Sequence, residues 1–184
     1  MTIENLHVLN EVVVDRGPSP YSVELNMYID GNLITTSMGD GIIIATPTGS
    51  TAYSLAAGGS ILQSHAKNIC VTPLAPHSLS FRPLILTPDT VIKVEKVRNN
   101  RNAAWVSLDG ANRIKLEDGE SIEIAGSMTS LKMVTLKSDN LTDLWAQRLV
   151  KHFGWNVREN QKVLQKQQKQ PSGQDITNEE EKKE

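Results

Sequence analysis

The sequence predicts a mainly β protein with a sandwich architecture, and three observations support this class. Short segments of alternating or continuous apolar character recur over residues 1 to 138. Asp-Gly pairs follow several of these segments, and such pairs suit tight hairpin turns because both central residues need positive φ. The expected core is aliphatic, since 39% of the residues are hydrophobic but only 4% are aromatic.

Each predicted strand has its own signal. Val23 to Ile29 alternates apolar and polar residues with the period of two that a half-buried strand requires. Asp30-Gly31 then turns the chain back into a strand over Asn32 to Met38, and the apolar run Gly41 to Ala45 predicts a buried strand. Turns at Asp109-Gly110 and Asp118-Gly119 separate some of the later predicted strands, which are Val91 to Val97, Trp105 to Leu108, Arg113 to Leu116, Ser121 to Ala125 and Leu131 to Lys137.

Two segments are predicted to be helical. Thr51 to Ala57 follows a Pro-Thr-Gly-Ser turn and stops at a pair of glycines. Leu141 to Phe153 begins after a capping residue, Asp139 or Asn140, and it ends before Gly154. Its apolar residues recur at spacings of three and four, which indicates an amphipathic helix that needs a surface to pack on. That surface belongs either to this domain or to another one.

These patterns divide the chain into three parts. Residues 1–138 form the predicted β-sandwich, and residues 139–159 form a C-terminal helical segment. Residues 160–184 are rich in Gln, Lys and acidic residues and contain few aliphatic ones. Such a segment buries too little apolar surface to offset the entropy of ordering it, so we expect a disordered polar tail.

Composition and charge exclude several classes of function. The chain has 21 acidic and 19 basic residues, so it lacks the basic excess of a dedicated nucleic-acid module. No run approaches the ~20 apolar residues of a membrane span, and no signal peptide is visible at Met1 to His7. The single Cys70 excludes an internal disulfide framework, and the four histidines show no metal-ligand spacing. We therefore expect a cytoplasmic protein, and a mitochondrial form is compatible with the sequence.

The segment from Gly39 to Tyr53 is the most informative candidate site. It has the order glycine turn, buried strand, loop of small residues and helix start. A Thr-, Gly- and Ser-containing loop at a helix N-terminus offers backbone N–H groups and hydroxyls to a phosphate or a ribose, and Tyr53 could stack on a ring. Alternatively, Ser50 or Thr51 merely caps the helix. The segment matches neither a P-loop, nor a nucleophile elbow, nor the dinucleotide-binding glycine fingerprint.

Four further residues are candidates for a site, and each also has an alternative interpretation. Asn10 and Glu11 precede an apolar run, and an amide beside a carboxylate suits recognition of ribose hydroxyls. They could equally form a polar pair at the start of a strand. His77 lies in a proline-containing loop and is either a ligand contact or a surface residue. Asp109 is explained first by its hairpin turn.

Four motifs in this order resemble the NAD kinase family in its eukaryotic form. Asn10-Glu11 with Asp15-Arg16-Gly17 is the first, and Gly39-Asp40-Gly41 with the loop Thr46 to Tyr53 is the second. The others are Pro76 to Pro83 and Trp105 to Gly110, and Trp155 to Arg158 also matches. The resemblance covers roughly Val8 to Asn160. It implies the C-terminal β-sandwich domain of that fold, with the terminal amphipathic helix returning to an N-terminal α/β domain that this sequence does not contain.

The resemblance also implies an activity and a set of binding residues. NAD kinases transfer the γ-phosphoryl group of ATP to the 2′-hydroxyl of the adenosine ribose of NAD, with Mg²⁺, and tend to be homo-oligomers. Asn10 and Glu11 would lie near that ribose, and Thr51, Ala52 and Tyr53 would line the adenine pocket. Asp40 would contact the nicotinamide riboside end across a subunit interface. Ala75 and His77 would lie near the nicotinamide.

One departure from the family limits what the chain is expected to do alone. The family's Gly-Gly-Asp-Gly motif, which carries the catalytic aspartate, is missing, because Gly58-Gly59 is followed by Ser60. No catalytic residue and no metal ligand are therefore expected in this chain, and the isolated chain is expected not to form NADP at a useful rate. A non-catalytic NAD-binding or assembly module is the main alternative. A related lipid kinase is a further one, which the loop Thr46 to Tyr53 and Asn10-Glu11 disfavour.

Overall fold

The computed structural model describes residues 6–98, 102–132, 134 and 140–156, and it confirms a mainly β architecture. The strands are β1 (Glu11–Asp15), β2 (Val23–Ile29), β3 (Asn32–Gly39), β4 (Gly41–Ala45), β5 (Ile69–Leu74), β6 (Leu84–Leu86), β7 (Ile92–Lys96), β8 (Ala104–Leu108), β9 (Ala111–Leu116) and β10 (Ser121–Ile124). The helical elements are a 3₁₀ turn (Gly49–Thr51), a short helix α1 (Tyr53–Ala56) and a longer helix α2 (Leu141–Phe153).

The ten strands form two antiparallel sheets that enclose the main core. The first sheet has the order β6-β5-β4-β1-β8-β9, and the second has the order β10-β7-β2-β3. Alternate residues of both sheets point inward, so that Val14 and Ile42 of the first sheet share one core with Leu25 and Met27 of the second. The period of two in β2 is thus confirmed, and its apolar positions face the other sheet.

The outer face of the first sheet is partly covered by the chain between β4 and β5. Val13, Ile43 and Cys70 point to this face and pack with Leu62 and Ala57 in a second, smaller core. The strands β4 and β5 are therefore buried on both faces, which explains why β4 is continuously apolar. Cys70 is fully buried, as expected of a small apolar residue.

The hairpin turns agree with the sequence analysis. Asp30 and Gly31 have φ of 47° and 80°, and Asp109 and Gly110 have φ of 47° and 73°. Positive φ at both central positions is the requirement of a tight type I′ turn. Gly119 also has positive φ, at the turn between β9 and β10.

Several boundaries differ from the predictions. The helix expected over residues 51–57 is a 3₁₀ turn followed by the four residues of α1, and no side-chain hydrogen bond from the residue preceding either element caps it. The strands β5 and β6 were not predicted, because β5 contains a proline and β6 has only three residues. Of the predicted strand 131–137, residues 131, 132 and 134 lie in no strand, and the others are outside the described residues.

The C-terminal helix is confirmed over Leu141–Phe153. Its first turn includes a hydrogen bond from the N–H of Leu144 to the carbonyl of Asn140, while Asp139 is outside the described residues. Val150 and Phe153 are 57% and 48% exposed, so part of the apolar surface of α2 faces solvent. Over the residues described, none of the helices has the length and apolar character needed to span a bilayer. The predicted tail, 160–184, is outside the described residues.

Candidate functional site

A surface depression of about 420 Å³ lies on the outer face of the first sheet, beside α1. Val13 of β1 and Ser107 of β8 lie opposite each other in the sheet and line it. Glu11 and Tyr53 contribute to the same lining, as does Arg113 of β9. This depression brings together two sequence-predicted site residues, Glu11 and Tyr53, from segments that are 42 positions apart.

The start of β1 is held against the loop that follows β4. The N–H of Thr46 donates to the carbonyl of Asn10 over 2.8 Å, and the Thr46 hydroxyl donates to the carbonyl of Leu9 over 2.6 Å. A Cβ at Gly49 would lie 2.0 Å from the Asn10 carbonyl oxygen, so this position has no room for a side chain. Packing against residues 9 and 10 therefore explains the threonine at position 46 and the glycine at position 49 of this loop.

The loop uses its own backbone N–H groups internally. The N–H of Gly49 donates to the Thr46 hydroxyl over 3.1 Å, and those of Ser50, Thr51 and Ala52 donate to carbonyl groups three or four residues earlier. The prediction that this loop offers free backbone N–H groups to an anion is wrong for these four residues. The reason is that the 3₁₀ turn closes its own hydrogen bonds.

Ser50 has a structural role in the loop. Its side chain is fully buried, and its hydroxyl donates to the Pro47 carbonyl over 2.6 Å. The same hydroxyl accepts a 2.9 Å hydrogen bond from the N–H of Leu62. The loop is thereby tied to the segment after α1, and it presents the ring of Tyr53, which is 47% exposed, at the depression. Thr51 and Ala52 are half-buried beside it.

Glu11 places a buried carboxyl group in the depression. The residue is 8% exposed, and its Oε2 atom is buried with no hydrogen-bond partner in the part of the chain that the structure describes. Burial raises the pKa of this carboxyl, and the nearby charge of Asp109 raises it further, while the backbone N–H of Tyr53 acts in the opposite direction. An unpartnered carboxylate oxygen of this kind is suited to accept a hydrogen bond from a ligand hydroxyl.

An ion pair between Asp15 and Arg113 lies at the other end of the depression, and the sequence analysis did not predict this pairing. Arg113 donates to both carboxylate oxygens of Asp15, at 2.7 and 3.0 Å, and its guanidinium lies 5.9 Å from the centre of the Trp105 ring. The pair joins β1 to β9 across β8. Because it depends on strand order, neither residue could be matched to the other from the sequence.

Asp40, Ala75 and His77 form a second group at the opposite end of β4. Asp40 accepts a 2.7 Å hydrogen bond from the Arg16 guanidinium. The N–H of His77 donates to the Met38 carbonyl over 2.9 Å, and its ring Nε2 lies 3.1 Å from the Ser22 hydroxyl. By the rise of a strand, Asp40 lies about 17 Å along β4 from the Glu11 end. The structure thus separates the predicted site residues into two groups.

A second depression, of about 340 Å³, borders this second group. Ala75 and Pro76 line it together with Phe81 and Arg82, which belong to the third motif of the sequence analysis. Ala75 has a positive φ of 41°, an unusual value for a residue with a side chain. The bend at Ala75 follows the end of β5 and begins the loop toward His77.

The described residues contain no cluster of metal-ligand side chains. Over residues 6–98, 102–132, 134 and 140–156, no three His, Cys, Asp or Glu side chains come close enough together to hold a metal ion. Carboxylate oxygens are the ligands that Mg²⁺ prefers. Mg²⁺ is usually bound by one or two carboxylates together with substrate phosphates, so a magnesium-dependent reaction does not require such a cluster.

Comparisons with known proteins agree on one family. Residues 9–136 match the family model of the ATP-NAD kinase C-terminal domain. The chain is 46% identical over 156 residues to the NAD(+) kinase of Saccharomyces cerevisiae, covering 85% of this chain and 29% of that protein. It is 47% identical over 157 residues to a probable chloroplastic NAD kinase 2 of Oryza sativa subsp. japonica, covering 85% of this chain and 16% of that protein.

Solved structures give the same result for the fold. The yeast NADH kinase in complex with NADH matches with a TM-score of 0.72 and 34% identity, over 84% of this chain and 44% of that one. An NAD kinase from Archaeoglobus fulgidus in complex with ATP matches with a TM-score of 0.61 and 26% identity, over 68% and 48% of the two chains.

These matches favour the NAD kinase interpretation over the lipid kinase alternative. The chain spans less than a third of the length of the yeast and rice relatives that it matches. The family model nevertheless covers well over half of this chain, and the β-sandwich matches the solved members of the family. The chain therefore belongs to the NAD kinase family, of which it carries the C-terminal domain.

Proposed function

We propose that the chain is the NAD-binding half of an enzyme that transfers the γ-phosphoryl group of ATP to the 2′-hydroxyl of the adenosine ribose of NAD. The family supports the reaction class, and a relative in complex with NADH supports the ligand class. The observation that carries the proposal is the buried Glu11 Oε2, which has no hydrogen-bond partner among the described residues and lies in the same depression as the exposed ring of Tyr53. A hydroxyl acceptor next to an aromatic ring suits the ribose and adenine of an adenosine.

In this proposal the first group of predicted site residues, which comprises Asn10, Glu11, Thr51, Ala52 and Tyr53, binds the adenosine half of NAD. The Glu11 carboxylate accepts a hydrogen bond from a ribose hydroxyl, and the amide of Asn10, the residue before it, offers a donor and an acceptor to the same ribose. The ring of Tyr53 stacks on the adenine, while Thr51 and Ala52 form the wall of the adenine pocket. Stacking on an exposed aromatic ring requires no particular base, so the ribose contacts provide the position of the reacting hydroxyl.

The second group binds the nicotinamide riboside end. Asp40 lies about 17 Å along β4 from the Glu11 end, by the rise of a strand, and Ala75 and His77 follow the end of the neighbouring strand β5. We propose that Asp40 reaches the ligand of a second copy of the chain, which makes the homo-oligomer part of the site. The exposed edge strand β3, with Leu33 and Ile34 at 55% and 51% exposure, is suited to contact such a copy.

The isolated chain is proposed to bind NAD without phosphorylating it. Phosphoryl transfer depends on charge stabilisation around the phosphates and the metal, and the Gly-Gly-Asp-Gly motif expected to carry the catalytic aspartate does not occur in this sequence. ATP and Mg²⁺ are the expected phosphoryl donor and cation of the complete enzyme. A non-catalytic NAD-binding or assembly module is the second candidate, and it shares the same site and the same β3 edge.

Titration calorimetry of NAD into the purified 184-residue chain tests the binding proposal. We expect saturable binding to the wild type and at least about tenfold weaker binding to Glu11→Gln, because a charged acceptor contributes roughly 1.5–3 kcal/mol. Glu117→Gln, an exposed glutamate outside the depression, is the matched control. No saturable binding to the wild type would remove the NAD site from this chain.

A radioactive transfer assay separates the two candidates. The chain is incubated with NAD and Mg-ATP, alone and together with a full-length NAD kinase. We expect no NADP from the chain alone, and robust NADP formation would contradict the proposal of a half-enzyme. A change in the rate of the full-length kinase on adding the chain would favour the assembly module.

Self-association is tested by light scattering after size exclusion. We expect a dimer or larger assembly, and we expect Leu33→Lys to shift it toward the monomer, because a lysine on an edge strand opposes edge pairing. Ile85→Lys on the edge strand β6 is the control, with a similarly exposed apolar residue. A monomeric wild type would remove the second copy from the proposed site.

A further inference from the structure

The turn between β8 and β9 makes an unusual connection to the start of β1. The Asp109 carboxylate accepts hydrogen bonds from three consecutive backbone N–H groups, those of Leu9 at 2.7 Å, Asn10 at 2.8 Å and Glu11 at 3.0 Å. The N–H of Asp109 in turn donates to the Glu11 carbonyl over 3.0 Å. Four hydrogen bonds thus join segments that are about a hundred residues apart in the sequence.

A type I′ turn does not itself require this arrangement. Asp30 occupies the corresponding turn position between β2 and β3 with the same φ of 47°, and its carboxylate accepts one backbone N–H, that of Val91. An Asp-Gly turn therefore leaves the carboxylate free to contact other segments. The Asp109 carboxylate instead accepts three N–H groups from the segment that contains Glu11, a residue of the candidate site.

The contact restricts the two residues that the proposed function uses for the ribose. Residues 9–11 lie between the Asp109 turn on one side and Thr46 and Gly49 on the other, which hydrogen-bond to them or press against them. Burial acts to raise the pKa of Asp109, but the three N–H groups outweigh it and lower the pKa, so this carboxylate stays ionised. Three hydrogen bonds to a full charge are stronger than three to a neutral acceptor.

We propose that Asp109 is a positioning residue of this site, which fixes Asn10 and Glu11 through their backbone N–H groups and faces the Glu11 carboxyl with a negative charge. This inference rests on the proposed function, since it assigns a role in NAD binding. Asp109 acts on the ligand only through Glu11 and Asn10. Its charge also disfavours the ionised form of Glu11. The other titratable side chains that line the depression are Asp15, Arg113 and Tyr53.

Asp109→Asn tests the proposal with little disturbance of the turn, because asparagine also tolerates positive φ. The amide keeps one acceptor oxygen but places a donor group against N–H groups. We expect NAD affinity to fall at least about tenfold, which corresponds to ~1.4 kcal/mol. We also expect the pKa of Glu11, measured by carbon NMR of its carboxyl, to fall because a negative neighbour is removed.

Asp30→Asn is the matched control, with the same turn, the same φ and one N–H partner. It should leave both the NAD affinity and the pKa of Glu11 unchanged. The proposal would be overturned if Asp109→Asn kept the wild-type NAD affinity and the wild-type pKa of Glu11. It would also be overturned if Asp109→Asn and Asp30→Asn lost the same amount of NAD affinity. If Asp109→Asn does not fold by circular dichroism, Asp109→Glu decides: it keeps the charge but displaces it, so weaker NAD binding supports the proposal and wild-type binding overturns it.

The outcomes distinguish this inference from the proposed function. A wild-type chain that does not bind NAD removes the proposed function, and with it the ligand role of Asp109. A wild-type chain that binds NAD, together with an Asp109→Asn variant that binds equally well, removes only the positioning role.

Discussion

Gly49 and Asn10 are in such close contact that a Cβ on the glycine would lie 2.0 Å from the asparagine carbonyl oxygen. The two residues come from different motifs, and their contact holds the loop after β4 against the start of β1. The neighbouring hydrogen bond from Thr46 to the same carbonyl, at 2.8 Å, has the same effect. The shape of the candidate site therefore depends on a position where only a hydrogen atom fits.

Gly49→Ala is expected to destabilise the fold and weaken NAD binding together. Overpacking of a filled site costs about 1–3 kcal/mol, and the loop must move away from Asn10 to relieve the clash. Urea unfolding and calorimetry measure the two effects. Gly154→Ala is the control: it has open space but positive φ and lines neither depression, so it should cost roughly 1 kcal/mol of stability and leave NAD affinity unchanged. Unaltered stability of Gly49→Ala would contradict the close packing.

Tyr53→Ala is expected to weaken NAD binding by about 1–3 kcal/mol, the range of base–aromatic stacking. The stability of the fold should change little, since the ring is 47% exposed. Tyr53→Phe keeps the ring and should bind nearly as well as the wild type. Tyr21→Ala, at an exposed tyrosine outside the depression, is the control. An unchanged dissociation constant in Tyr53→Ala would place the adenine elsewhere.

NAD affinity is expected to fall as the pH decreases through the pKa of Glu11. Burial and the charge of Asp109 raise this pKa above 4.5, and only the ionised form offers both oxygens as acceptors. Calorimetry at a series of pH values measures the loss, and Glu11→Gln should remove that dependence. A pH-independent affinity of the wild type in this range would show that the Glu11 carboxylate does not contact the ligand.

The same raised pKa predicts an opposite effect of Glu11 on stability. The folded state holds the Glu11 proton more tightly than the unfolded state, so the contribution of Glu11 is most favourable below its unfolded pKa of about 4.5 and is lost as the pH rises through the higher folded pKa. Glu11→Gln should therefore raise the free energy of unfolding at neutral pH relative to the wild type. Urea unfolding at pH 4 and pH 7 checks this, and a destabilised Glu11→Gln at pH 7 would contradict it.

Ser50→Ala is expected to cost about 1–3 kcal/mol of stability, because the buried N–H of Leu62 loses its acceptor. The hydrogen bonds of Thr46 would still hold the loop against Asn10. The free energy of NAD binding should therefore change less than the free energy of unfolding. Thr51→Ala, at a half-buried hydroxyl that donates only to the Thr48 carbonyl, is the control and should have a smaller effect. Thermal unfolding of both variants compares them directly.

The local elements were largely predictable from the sequence. The period of two in β2, the Asp-Gly turns at Asp30 and Asp109 and the amphipathic pattern of α2 each follow from interactions within a few residues. The strand β5 was missed because Pro73 lies within its apolar run, and a proline argues against a strand inside a sheet. The helix near Tyr53 was predicted too long, because the preceding residues close a 3₁₀ turn instead.

The sequence by itself determined the strand and turn pattern, the family and the identity of the candidate residues. These features depend on residues that are close together in the sequence, so periodicity and motifs reveal them. Only the tertiary structure decided which candidates meet. It joined Glu11 to Tyr53 and to Asp109, and it placed Asp40 at the far end of β4. The reason is physical: strand order and sheet pairing bring distant residues into contact, and the resulting burial, hydrogen bonds and charges exist only in the folded chain.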